Sequence, residues 1–355
     1  MNSPTTALGA DFRASGIPMQ GLPDGGEVPL RFDNSLIEHH ATRHACGLFD
    51  FSFMGGWEIT GAQANAALSR LQTRDLAALA PGQIAYTLIC RDDGSVFNDA
   101  TVWKFSDQHY WLFSGRKSDH EWVGPDLERI DDAHAILALQ GPNSARVLAT
   151  VAGEELIRRL GYFHFAAATL CGHACYIGRI GYSGELGYEL IVAASAAPVI
   201  WQSVLDAGQR FGIRPCGFEA ANLLRIESGY ILFSSELALP RRPVELGLAR
   251  LVTSAATGMR GHAALRTPLN GERRNLVCVE LSEPELKSAG PSPLALELTS
   301  TVFSPLAGRH LGLGFAIAKN NAPRTRLVCE DGRPAAVCRL PYYDSQRLRP
   351  RASPL

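Results

Sequence analysis

The chain has 355 residues, 46% of them apolar and 19% charged, with 34 Lys plus Arg against 35 Asp plus Glu. This is an ordinary globular composition, long enough for two or three domains, and it excludes intrinsic disorder. The balanced charge without a basic stripe argues against nucleic acid as a partner, and no run reaches the roughly 18 apolar residues of a membrane span. The first residues show no basic segment followed by an apolar block, so no membrane attachment and a cytoplasmic location are expected. Eight cysteines scattered along so long a chain read as reduced, buried thiols.

Residues 1–30 are rich in Gly, Pro and polar side chains and predict a loose or surface-wrapping arm. Residues 36–46 carry apolar or small residues at helical spacing and stop at Gly47. Residues 48–60 alternate and are rich in aromatics, as a strand broken at Gly55-Gly56 would be. A short helix follows at 62–71, and strands at 86–90 and 102–105 bracket the turn residues Arg91 to Ser95. Residues 110–114 continue the strand pattern.

The middle of the chain predicts strands at 135–140, 174–180 and 184–192, then helices at 197–211 and 219–228. Beyond about Gly258 come short strands with turn signals every 8–12 residues, which predicts an appended all-β domain. The order is α+β, α+β, then β.

Several common signatures are missing. There is no GxGxxG, GxxxxGK[ST] or GxSxG, which removes dinucleotide, P-loop and serine-hydrolase readings. His40 and His44 have i, i+4 spacing but no HEXXH, and Cys171-Gly-His-Ala-Cys175 has no second pair at zinc spacing. No metal site is expected, and Cys171 and Cys175 read as core-strand thiols.

Three segments carry more chemistry. Residues 47–54 form an aromatic strand ending in Met54, a residue type that fills irregular pockets and plain cores alike. Asp99 interrupts the apolar return strand after the Asp93-Gly94 turn. It is either an acid on the solvent face of a hairpin or one placed for a ligand, since a bare buried charge is costly. The third segment, GYSGELGYEL (181–190), has three glycines in seven residues, Tyr182 and Tyr188, and Glu189 at the head of an apolar strand. With Asp99, Glu189 would give two acceptors for a planar ligand rich in N–H donors. A glycine-rich hairpin with surface acids is the alternative.

In order, EHHATRHACGLFDFSFM, PGQIAYTLICRDDGSVFNDATVW, LALQGPNS, GYSGELGYEL, LLRIESGYILFSSEL and TVFSPLAGRHLGLGFAI resemble the motifs of the aminomethyltransferase (T-protein) family of glycine cleavage and its folate-dependent relatives. The resemblance runs from about residue 36 to 318. It implies an α+β chain folded as a three-domain cloverleaf around an opening that holds tetrahydrofolate. The expected layout is an arm and the start of domain 1 at 1–50, domain 2 with Asp99 at 51–130, the rest of domain 1 with Glu189 at 131–256, and a C-terminal β-barrel-like domain at 257–355.

The family also implies roles for individual positions. Asp99 becomes the catalytic acid facing the reactive nitrogens of folate. Met54, Tyr86, Ser114, Tyr182 and Glu189 join it in the folate pocket, while Arg225, Tyr230 and Glu236 are expected to meet the one-carbon donor. Departures accompany the match: the family's Asp-Asp is Asn98-Asp99, its strand-end Asn is replaced at Phe113-Ser114, and its Ala-Arg-Asp is Ala220-Ala221-Asn222. These changes surround the opening that a lipoyl carrier would enter. They favour a tetrahydrofolate-dependent demethylase or methyltransferase acting on a small methyl donor. A lipoyl-protein-dependent aminomethyltransferase and a non-catalytic folate-binding regulator are the alternatives.

Overall fold

The computed structural model describes residues 6–23, 26–124, 127–253, 257–269, 271–282 and 295–355. Alternating burial along the strands builds two stacked sheets. The first has six strands in the order Phe165–Leu170, His173–Gly178, Gly187–Ala193, His134–Gln140, Cys46–Asp50 and Ile213–Cys216. Leu48, Leu137, Leu139, Leu190 and Val192 on one face pack against the helices Ser144–Ala152 and Ala197–Gly208. The opposite face presents Phe49, Ile136, Ala138 and Ile191 to a second sheet.

The chain leaves the first sheet after Asp50, builds the second, and returns at His134. This second sheet has five strands ordered Ile84–Cys90, Val96–Ser106, His109–Ser114, Gly55–Thr60 and Glu128–Arg129. Its inner face meets the first sheet through Trp103, Trp111 and Phe113, and its outer face packs Trp57, Val102 and Leu112 on the helix Ala64–Leu71.

Five C-terminal strands between Arg274 and Cys338 close a barrel filled by Val277, Val279, Leu296 and Val337. Its outer residues Leu311, Leu313 and Phe315 pack against Leu88, Ile226 and Ile231. The architecture is α+β with a β-barrel, as expected. No helix among the described residues is long and apolar enough to cross a membrane.

Three local expectations are corrected. The early arm is not loose: the helix Gly9–Ala14 inserts Phe12 into the first core, where its ring lies 5.3 Å from that of Trp201. The break in the aromatic strand falls at 51–54, and Gly55 and Gly56 lie inside the next strand. A Cβ at Gly55 would collide with the Arg116 carbonyl, and one at Gly56 with the Phe113 ring, so glycine serves close packing there and makes no turn. Finally, Cys171 is exposed in a turn at φ +51°, and only Cys175 of that pair is a core thiol.

Candidate functional site

The two sheets do not close completely on each other. In the strand Val96–Ser106, Ala100 and Val102 turn toward the outer helix, which leaves Asp99 and Thr101 facing the first sheet. In Gly187–Ala193, Tyr188, Leu190 and Val192 face the helical layer, so Glu189 points the other way. Both acids therefore border one cavity between the sheets. Its volume is about 140 Å³, roughly ten times what a single water needs. Met54, Tyr86, Ser114 and Tyr182 border it as well. Phe51, Phe53, Phe113, Phe163, Phe218 and Phe233 line it too, among smaller and aliphatic residues.

Among the described residues no Lys, Arg or His lines this cavity. Burial pushes the Asp99 carboxyl up to about 6; the Tyr86 hydroxyl, which donates to its Oδ2 at 2.8 Å, opposes the rise, and the nearby Asp119 charge adds to it. Burial alone pushes Glu189 up to about 7, and no described residue hydrogen-bonds its carboxylate. Burial and the Asp99 charge also hold the Tyr86 phenol well above its ordinary range, so it stays a donor. An acid without a protein partner at the wall of an aromatic cavity is an acceptor left open for a ligand.

The glycines of residues 181–187 serve the packing of the protein itself. A Cβ at Gly181 or Gly187 would overlap the Gln140 amide, and one at Gly184, at φ +80°, would overlap Ser228. Their missing side chains make room for protein groups, although Gly181 also borders the cavity.

Arg225, Tyr230 and Glu236 do not line the cavity. Arg225 donates to Glu236 at 2.7 Å, to Ser300 at 2.7 Å and to Asn222 at 2.9 Å, while Glu236 also accepts from Ser300 and Thr299. This ion pair pins the helix Phe218–Glu227 to the barrel strand Ala295–Ser304. Tyr230 stacks on Tyr182 with ring centroids 5.7 Å apart, supporting the wall from outside. The Arg241 guanidinium pairs with Glu297 and Glu245 and is likewise engaged.

Sequence reasoning missed Asp119. It accepts from Ser114 Oγ at 2.7 Å and from the Asn98 amide, so the two departures at Asn98 and Ser114 meet on one carboxylate oxygen. A lone acid in a turn carries no pattern that would have marked it. Among the described residues no group of three or more His, Cys, Asp or Glu side chains is placed to hold a metal ion.

Residues 18–255 match the family model described as the GCVT N-terminal domain. An aminomethyltransferase of Streptomyces coelicolor is 33% identical over 96% of this chain and 98% of its own. One from Chloroherpeton thalassium is 34% identical over 82% of this chain and 84% of its own. A crystal structure of the glycine cleavage system aminomethyltransferase T from Bartonella henselae superposes with a TM-score of 0.78 over 97% of this chain and 99% of that one. At 20% identity, that likeness speaks to the fold.

Proposed function

We propose, because the chain belongs to the aminomethyltransferase (T-protein) family, that it performs the folate-dependent one-carbon transfer of glycine cleavage, taking its aminomethyl group from a lipoyl-bearing carrier protein. The observation that carries the reading is the pair of underbonded acids, Asp99 and Glu189, on facing walls of one aromatic cavity. A pterin is flat and rich in N–H donors, and Glu189 is the free acceptor such a ring requires. The residues present therefore fit tetrahydrofolate. Glu189 would hold its ring N–H groups, with Met54, Tyr86, Ser114 and Tyr182 around it. When bound, tetrahydrofolate supplies the nitrogen that accepts the one-carbon unit.

Asp99 is the proton-handling group of this reading. A carboxyl near 6 is mostly ionised at neutral pH yet close enough to take and return a proton, the condition for general acid–base work. Tyr86 keeps one of its oxygens occupied, leaving the other for the substrate. The phenylalanine walls exclude water from the reacting atoms. The demethylase expectation gives way here, because the curated relatives that match most of this chain are named aminomethyltransferases.

The deciding assay supplies tetrahydrofolate and an aminomethylated lipoyl carrier and looks for 5,10-methylenetetrahydrofolate, with the amine released as ammonia and the lipoyl sulfur as a free thiol. Asp99→Asn should lower that turnover about 10²–10⁴-fold while folate affinity changes only a few-fold. A 5-methyl product formed from a small methyl donor without carrier would restore the demethylase reading. Folate binding with no turnover from any donor would leave a binding protein.

A further inference from the structure

Asp119 ends the turn Lys117–Asp119, just past the strand His109–Ser114, and its side chain is 1% exposed. One carboxylate oxygen accepts from Ser114 Oγ at 2.7 Å and from the Asn98 amide N–H; the other accepts from Arg116 Nε at 2.9 Å. Burial raises the proton affinity of Asp119, and the three donors that point at it oppose that rise and favour the ionised form. The far end of the Asn98 amide accepts the backbone N–H of Asp99 at 2.9 Å. One buried carboxylate thus holds Ser114 directly, and Asp99 through Asn98. Both held residues border the cavity.

We propose that Asp119 is a positioning residue for Asp99, holding it at the cavity wall through Asn98 and setting, by its negative charge, the pH at which Asp99 gives up its proton. This rests on the reading of Asp99 as the proton-handling group. The groups around Asp99 make the electrostatics legible. Tyr86 approaches from the neighbouring strand, Tyr182 from the turn after Gly181, and Glu189 from the facing sheet. Asp119 and Arg116 lie beyond Asn98. Arg116 is the cation of this set, wedged with its guanidinium 5.1 Å from the Phe97 ring and 5.5 Å from that of Phe233. It offsets the Asp119 charge, so the two residues act on Asp99 in opposite directions.

The test reads the carboxyl itself. Protein labelled with ¹³C at aspartate side-chain carboxyls is titrated by NMR, with Asp99→Asn assigning the Asp99 signal. Asp119→Asn removes the negative neighbour and should lower the Asp99 midpoint by about half to one pH unit. Arg116→Gln leaves Asp119 uncompensated and should raise it. The acid limb of the turnover profile should move with each midpoint. A midpoint unmoved in both variants overturns the proposal, and if Asp119→Asn does not fold, an unmoved midpoint in Arg116→Gln does so alone. Failure of the unaltered protein to bind tetrahydrofolate would instead sink the folate reading, while the carboxyl midpoints still decide the role of Asp119.

Discussion

The aromatic cavity and the ion network around Arg43 both bury acidic side chains, yet Asp99 in the one and Glu227 in the other are shifted in opposite directions. Arg43, 1% exposed, donates to Glu227 at 2.7 Å and to Glu185 at 2.9 Å, and its guanidinium stacks 3.9 Å over Tyr343. Glu227 accepts in addition from His39 at 2.9 Å and Ser304 at 2.6 Å. Burial pushes Glu227 up, but the His39 hydrogen bond and the Arg43 charge outweigh it and hold the carboxyl below its usual range. Among the described residues Asp99 has a single side-chain donor and Glu189 none, so there burial wins and both rise. Burial alone does not decide the shift of an acid; donors and a close cation can outweigh it, as they do at Glu227.

The sharpest way to break this comparison is to unpair the network. Arg43→Leu leaves Glu227 without its guanidinium partner and Glu185 with the half-exposed Arg349 at 3.6 Å as its cation, and should destabilise the protein by about 3–5 kcal/mol, read from urea unfolding. Adding Glu227→Leu should return part of that loss, because the uncompensated charge disappears with it. A loss below about 1 kcal/mol for Arg43→Leu would mean that the network is solvated and the contrast with the cavity is false.

The same contrast explains what the residues disclosed. Asp99 and Glu189 were visible because each interrupts an apolar alternating strand, and alternation alone puts both on inward faces. That they share one cavity depends on two sheets packing across about ninety residues, which no local pattern encodes. The motif residues Glu38, Arg43, Glu185, Arg225, Glu227 and Glu236 are as prominent in the sequence as the cavity acids, but they build the frame. Glu38, for one, accepts backbone N–H groups from Phe32, Asp33 and Gly217, tying two loops to its helix. Reading Arg225 and Glu236 as donor contacts was natural from charge; that they pair with each other at 2.7 Å was not legible there. Glycines mislead for a similar reason, since a glycine admitting Gln140 looks in sequence like one admitting a ligand.

A smaller effect, opposite in sign, should come from the cavity. In the ligand-free protein Glu189 sits near 7 against an ordinary 4.5, so the folded state binds its proton more tightly than the unfolded chain does. Its contribution to stability is fully present below about pH 4.5 and is lost as the pH rises through 7. Glu189→Gln removes that loss. The variant should match the parent protein at pH 4 and exceed it at pH 8 by about 1–3 kcal/mol, while its folate affinity falls. Equal stability of the two proteins at pH 8 would show that a protein donor already satisfies Glu189.

The finest test concerns the hydrogen bond that Asp99 receives from Tyr86. The Tyr86 hydroxyl favours the ionised form of Asp99 and restrains the rise that burial imposes. In Tyr86→Phe the Asp99 carboxyl should climb above about 6, because the donor is gone and the desolvation remains. Below pH 4 Asp99 is protonated in either protein, and the variant should be nearly as stable as its parent. Through pH 5 to 8 the parent ionises Asp99 with help from Tyr86 and the variant without it, so their stabilities should diverge to about 1 kcal/mol, with Tyr86→Phe the weaker. A difference independent of pH would assign Tyr86 to packing alone, and Asp99 would then owe its state to Asp119 and burial.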